Sequence, residues 1–431
     1  MKSLLRICIF SGLLLLFMSC EDKNNSMPLV EISYPPQEYQ ISIPDTINIR
    51  GKVTDENGVN FLKIQLVNEH LQNPVLLFST EIDNQTEYIF DVNSVVSNND
   101  IPTGNYYIKA TAYNTENVSS DFVKVYVNEA PLKLERIVVS SLETSGLLSV
   151  KTLDKNFNTE HITDYEGDFV GSAIYSPGRQ FLIALNDPSY TYSLDLSNGL
   201  TDWSEQAHQP YPLFTDLLLH ENIIYLSTEN GEIYGMDVNQ NPKFNILTNP
   251  DTVPETIFVF NNFLISDSRK RLGSSHHIMV YYRETGVFLH RKAIQDSVLG
   301  FYALDEEQLL CFSGSTHGST FRYKPSSNII SEENQFDFRI NCITRIDETH
   351  FLLATDNKVY LYEPEGHLIY PVISQSGIEQ ITFEPLRQQI ILAAGDRIHM
   401  LGYPSFEAVV DLEWNSKVKK IDFLYNKNPG F

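Results

Sequence analysis

Cysteine is scarce in this chain: there are four in 431 residues, and two of them, Cys8 and Cys20, fall in the first twenty positions. The other two, Cys311 and Cys342, stand singly inside apolar runs (LLCFS and INCITRI). That excludes a disulfide framework and any zinc-type ligand spacing, and the pair reads as two buried free thiols rather than a bridge. Basic residues are also few. With 31 Lys and Arg against 55 Asp and Glu the formal charge is −24, which argues against a nucleic-acid partner, because such a surface repels phosphate. A glycine-rich phosphate loop, a nucleophile elbow and a His-Glu-x-x-His helix are all missing. No catalytic residue can therefore be assigned, and neither a metal nor a cofactor is expected. The only long apolar run, Ile7 to Met18, is too short to span a bilayer as a helix.

That run has a purpose of its own. Lys2 and Arg6 precede it, Ser19-Cys20 ends it, and the polar Glu21-Asp22-Lys23-Asn24-Asn25 follows. Charged flank, apolar centre and small-residue end are the grammar of a secretory signal. Ser19-Cys20 resembles a bacterial lipobox, with Phe17 standing where Leu is usual. The acidic start after Cys20 resembles the export signal of Bacteroidetes-type surface lipoproteins, although Lys23 interrupts it. The resemblance implies a signal peptide over residues 1–19, acylation (palmitate among the chains) at Cys20, and a tether over residues 20–27. The expected address is the outer membrane, at the cell surface or on its periplasmic face, with the membrane held through the N-terminal lipid.

Residues 28–128 alternate apolar and polar positions, as in Thr46-Ile47-Asn48-Ile49-Arg50 and again at Leu62, Ile64 and Leu66. Turn chemistry lies between such runs at Asp55-Glu56-Asn57-Gly58, Asn98-Asn99-Asp100 and Pro102-Thr103-Gly104. About seven short strands are predicted, arranged as an Ig-like β-sandwich. The stretch from Gly51 to Val59 resembles bacterial Ig-like modules of secreted proteins, which serve mostly as spacers. Asn128-Glu129-Ala130-Pro131 then links to the rest of the chain.

Residues 132–431 are built on a repeat. Apolar strands begin at Ile137, Phe181, Ile223, Phe263, Leu309, Phe351 and Ile390, spaced 39 to 46 residues apart. A period near forty with several strands per unit predicts β-propeller blades, and seven anchors predict seven of them. The first unit lacks a strand before its anchor, while Val418 to Tyr425 has no unit after it. Together these two halves would close the ring. The fold class expected is all-β: an Ig-like β-sandwich followed by a seven-bladed β-propeller. The Trp-Asp of WD40 repeats is absent. One stretch, Asp195 to Trp203, resembles the repeat of quinoprotein-like propellers, which is kinship of fold and not a sign of a quinone cofactor.

One region departs from the acidic background. Arg269, Lys270, Arg271, His276 and His277 are predicted in a loop between the second and third strands of the fourth blade. His317 lies in the equivalent loop of the next blade, with Arg322 beyond it. In propellers these loops share a face with the blade-to-blade connections, so the residues should sit side by side as ligand-binding candidates for an anionic glycan. His276 and His277 are adjacent, so a strand would point them to opposite faces and a metal pair is not expected. Trp203, with His208 and Tyr211, is a second candidate, of the aromatic kind that stacks on sugars. Two functions follow. The first is non-catalytic recognition of a glycan or an envelope protein on a propeller platform. The second is a polysaccharide lyase or glycoside hydrolase working in the central funnel, which would require polar side chains converging there with displaced pKa values.

Overall fold

The alternating run that starts at Thr46 becomes part of a strand far longer than the sequence suggests. The computed structural model describes residues 26–176, 178–248, 251–314 and 317–429. The expected signal peptide, the acylated Cys20 and most of the tether lie outside the described residues. The chain divides after Pro131 into two compact units.

In the first unit one sheet runs in the order Leu29–Tyr34, Asp45–Asn68, Gly104–Tyr113, Val118–Asn128, Tyr39–Ser42, and Val75–Val96 pairs with Asp45–Asn68 off that path. Six strands therefore replace the seven short ones expected, and two of them are 24 and 22 residues long. The Asp55–Gly58 segment does not end a strand. It is absorbed as a register shift between Thr54 and Val59, with Gly58 at φ 83, where glycine carries no steric penalty. Asp55 is buried and accepts from Asn57 N at 2.8 Å, Asn114 Nδ2 at 2.7 Å and the Ser26 hydroxyl. Those bonds hold the segment inside the sheet. Ile47, Ile49, Val53, Leu62, Ile64 and Leu66 then fill one core with Ile108, Val123, Val125 and Val127, as the alternation requires.

The second unit shows, among the described residues, seven four-stranded antiparallel sheets. Sheet I joins Lys417–Tyr425 to Leu134–Leu142, Leu147–Leu153 and Thr159–Glu166. Sheet II is Asp168–Tyr175, Arg179–Leu185, Tyr190–Asp195 and Thr201–Gln206. Sheet III is Phe214–His220, Ile223–Thr228, Glu232–Asp237 and Pro242–Leu247. Sheet IV is Thr252–Phe260, Phe263–Lys270, His276–Tyr282 and Phe288–Ile294. Sheet V is Val298–Ala303, Leu309–Ser313, Ser319–Lys324 and Ile329–Gln335. Sheet VI is Cys342–Arg345, Phe351–Ala354, Lys358–Glu363 and Leu368–Ser374, and sheet VII is Ile378–Glu384, Gln389–Ala394, Arg397–Gly402 and Ala408–Glu413.

The recurring apolar anchor is the second strand of each sheet. It is buried on both faces, which explains why it reads as a continuous hydrophobic run rather than an alternating one. Separate apolar cores fill the spaces between successive sheets, for example Phe181, Ile183, Ile224 and Leu226 between II and III. Ile391 and Ala393 of VII likewise meet Ile137 and Val139 of I, so the seventh sheet packs on the first. Cys311 and Cys342 are free. Burial pushes the Cys342 thiol up to about 12 and the Cys311 thiol well above its ordinary value, which keeps both unreactive.

The first strand of six of the seven sheets, all but sheet VI, carries a shared irregularity. Register shifts fall between Phe169 and Gly171, Phe214 and Asp216, Pro254 and Thr256, Val298 and Gly300, Ile378 and Gln380, and Val418 and Lys420. A bulge turns backbone groups away from their own ladder, and polar side chains of the neighbouring sheet meet them. Phe214 N donates to Ser189 Oγ at 2.8 Å and Val298 N to Asp267 Oδ2 at 2.8 Å. Thr256 Oγ1 donates to Val298 O at 3.2 Å, and Thr215 Oγ1 to Pro254 O. Asp216 accepts Leu217 N and, across the boundary with sheet IV, Ile257 N, each at 2.8 Å. The Cys342 sulfur receives Ile381 N in the same manner between VI and VII. Asp422 accepts the Ser172 hydroxyl at 2.5 Å.

Two outcomes test this architecture. Val418, Ile421, Leu424 and Tyr425 are all buried, at about 1.5–3 kcal/mol apiece. Their sum approaches the whole stability of a domain, roughly 5–15 kcal/mol. A chain ending at Trp414 should therefore aggregate or be digested rapidly by protease, whereas a soluble product with the parent melting temperature would refute closure by the last strand. Secondly, burial pushes Asp216 up to about 6 from an ordinary 3.8, with the nearby Lys420 charge opposing. The folded carboxyl thus keeps its proton where the unfolded one has lost it, so this group removes stability as pH rises through that window. The melting temperature of Asp216→Asn should fall less between pH about 4 and about 6 than that of the parent; parallel curves would refute the assignment.

Candidate functional site

Sheet IV carries the basic residues singled out from the sequence, and the structure divides them. Arg269 and Lys270 are not in a loop: they complete the second strand, and His276 and His277 open the third, leaving a loop of residues 271–275. Serine, leucine and glycine hid the strand ends, and the ladder overrode those local signals through the pairs Arg269↔His276 and Ser268↔His277. Successive residues then face opposite sides of the sheet.

On the side toward sheet V the charges are already matched. Arg269 Nε lies 2.6 Å from Glu255 Oε1. His276 Nδ1 lies 3.1 and 3.2 Å from the two oxygens of Asp267, which is fully buried. The Asp267 hydrogen bond raises the His276 pKa, while burial raises that of Asp267 itself. Glu255, Asp267 and His276 offer three ligand atoms within 4.8 Å of one another. A metal there would have to displace Arg269 from Glu255 and the shared proton between His276 and Asp267. Through Val298 N the group also ties sheet IV to sheet V. Arg271 is also engaged, its guanidinium donating to Glu229 O and lying 4.7 Å over the Tyr211 ring. Neither arginine is available as the ligand fork expected of it.

The side toward sheet III differs. His277 is 8% exposed and its Nδ1 has no hydrogen-bond partner; burial lowers its pKa, and the Arg291 and Lys270 charges add to that. Among the described residues Lys270 and Arg291 form no ion pair. Arg291 borders a groove of about 640 Å³ between sheets III and IV, with Leu247, Thr248, Met279, Tyr281 and Phe288. Tyr281 is 1% exposed, and its hydroxyl is unpartnered. Leu247, at 74% exposure, and Phe288 stand open to solvent at the rim. Such a surface can hold an apolar body and an anionic head together. Arg291 was not among the sequence candidates, although Arg291-Lys292 on an outer strand of an acidic chain was a signal available to be read.

The remaining candidates separate further. His317 is exposed in the loop of sheet V and lines a different cavity, of about 530 Å³, between sheets IV and V with Asp296 and Glu333. It therefore meets carboxylates, not the basic residues. Arg322 lies on the third strand of sheet V, and its charge acts on Tyr362 of sheet VI, the opposite flank. Trp203 is no open platform: it stacks on Phe181 at 5.7 Å and its Nε1 donates to Val238 O at 3.3 Å, within the packing of sheets II and III. His208 stacks on Tyr234 at 5.3 Å, with Nδ1 3.1 Å from Glu232.

No protein-family model matches this chain, and no curated protein matches it in sequence. Solved structures do. The WD40 β-propeller domain of Doa1 aligns with a TM-score of 0.52 at 12% identity, covering 64% of this chain and 92% of that one. RRP9 WD40 repeats align over 65% of this chain and 88% of theirs, at 10% identity and TM-score 0.49. BamB from Moraxella catarrhalis aligns over 67% and 90%, at 11% identity and TM-score 0.42. With its four-stranded sheets and the Doa1 likeness, the C-terminal part of this all-β chain is a β-propeller, similar to WD40 domains in fold.

Proposed function

We propose that this chain is a lipid-anchored protein of the cell envelope whose seven-bladed propeller is a recognition platform for an acidic glycan. An Ig-like sandwich serves as its stalk. Seven sheets with seven intervening cores support the blade count, and the single core of the N-terminal unit supports the sandwich. Acylation of Cys20 rests on the sequence alone, and with it the outer-membrane address.

One observation carries the ligand class: Arg291 lines a groove with an apolar floor, its charge and that of Lys270 both act on His277, and neither forms an ion pair among the described residues, on a chain of charge −24. Local positive charge on an anionic body selects anions, and the selection weakens with salt. The alternative, a lyase or glycoside hydrolase in the funnel, would use the acids of the inner strands. Two of them, Asp216 and Asp422, are already spent as links between strands.

Two measurements test the reading. On an array of anionic glycans the parent should bind with affinity that falls as ionic strength rises, and Lys270→Ser/Arg291→Ser should lose about 1–3 kcal/mol. Equal affinity in the double variant, or no binding anywhere on the array, would refute the groove. For the anchor, Cys20→Ala should move from the membrane fraction to the soluble one, and continued sedimentation with the outer membrane would count against acylation.

A further inference from the structure

The cavity between sheets IV and V has the opposite character from the groove, although the two share sheet IV. Its walls are the outer strand of IV with the connection into V, the residues Ser313, His317 and Ser319, and the outer strand of V. Besides Ser313 and Ser319, five polar side chains line it: Gln295, Asp296, His317, Glu333 and Gln335, with Phe321 among the apolar ones. None of the five makes a side-chain hydrogen bond or ion pair with another described residue. This contrasts with Arg269, Arg271 and His276 of sheet IV, which are each engaged. Ser313 and Ser319 satisfy one another at 2.6 Å, so the floor is complete while the rim donors and acceptors are left over.

The charge of the lining is decisive. Among the described residues two carboxylates and no Lys or Arg line the cavity, and the surrounding chain is itself acidic. An anionic ligand would meet uncompensated repulsion, which excludes here the class argued for the groove. A purely apolar ligand would offer these polar groups no partner. An ammonium group suits a lining whose charged acids are carboxylates, while hydroxyls suit the carboxamides, which donate and accept together. The apolar ring face of a sugar fits against Phe321. A volume of about 530 Å³ lies within the range of small-molecule sites and admits one or two sugar units.

We propose that this cavity is a second ligand site, selective for a hydroxylated cation of the amino-sugar class. The propeller then presents two sites of opposite charge preference on the two flanks of one sheet, and a polymer carrying both amino and acidic sugars could engage both.

Calorimetric titration of the full chain with glucosamine and with its β-1,4 dimer tests the site, with glucose and glucuronate as the uncharged and anionic counterparts. The amino sugars should bind, glucose at least tenfold more weakly, and glucuronate not at this site. Asp296→Asn/Glu333→Gln should weaken amino-sugar binding by about tenfold or more, the loss expected for charge-assisted hydrogen bonds. Lys270→Ser/Arg291→Ser should leave it unchanged, which separates this site from the groove whatever becomes of the latter. Both double variants alter partly exposed side chains, and unchanged melting curves would verify their folding. Equal affinity for glucose and glucosamine, undiminished binding in the carboxamide variant, or no amino-sugar binding at millimolar concentration would each overturn the proposal.

Discussion

The bulge in the inner strand of the propeller sheets is the constraint on which the rest of the second unit depends. A regular strand would spend every backbone group on its own ladder and leave neighbouring sheets joined by apolar contact alone. Breaking the register before Gly171, Asp216, Thr256, Gly300, Gln380 and Lys420 turns backbone groups toward the adjoining sheet. Ser189, Asp267, Thr256 and Asp216 then bind them across the boundary. Hydrophobic packing is non-directional and sets how tightly sheets approach. These directional bonds set where along its neighbour each sheet sits.

The same bonds explain why acidic groups near the centre are poor evidence for chemistry. A buried carboxylate is tolerated only when hydrogen bonds replace its water. Asp216 has two backbone N–H donors, and Asp267 has Val298 N with His276. Their displaced pKa values follow from burial at a sheet boundary, and Cys342 occupies a comparable position with no carboxylate at all. Function is thereby shifted outward, to the flanks where the outer strands diverge and side chains remain without partners.

Sheet IV shows how one strand pair can serve two chemistries. Alternation sends His276 and Arg269 into the cluster with Asp267 and Glu255 against sheet V, and His277 toward sheet III. Farther out, Arg291 borders that groove while Asp296, on the connection leaving the same sheet, lines the acidic cavity. A sheet a single residue thick separates two electrostatic environments, because successive side chains must point opposite ways.

The sequence by itself determined the period of the repeat, the identity of the second strands and the spare strand at the C-terminus. Residues buried on both faces leave a continuous apolar run, and FLIAL or LLCFS cannot be disguised by local context. It also marked sheet IV as the basic one. What it could not settle was which of those charges remain available. Arg269 is neutralised by Glu255 fourteen residues away, Arg271 by Glu229 O and Tyr211 across a sheet boundary, and Trp203 is consumed by Phe181 and Val238. Pairing of that kind is a matter of distance in space, to which spacing along the chain is no guide. For the same reason the Asp55–Gly58 turn signal lost to the ladder around it, and Tyr281 and Glu333 became visible only once the sheets had been brought together.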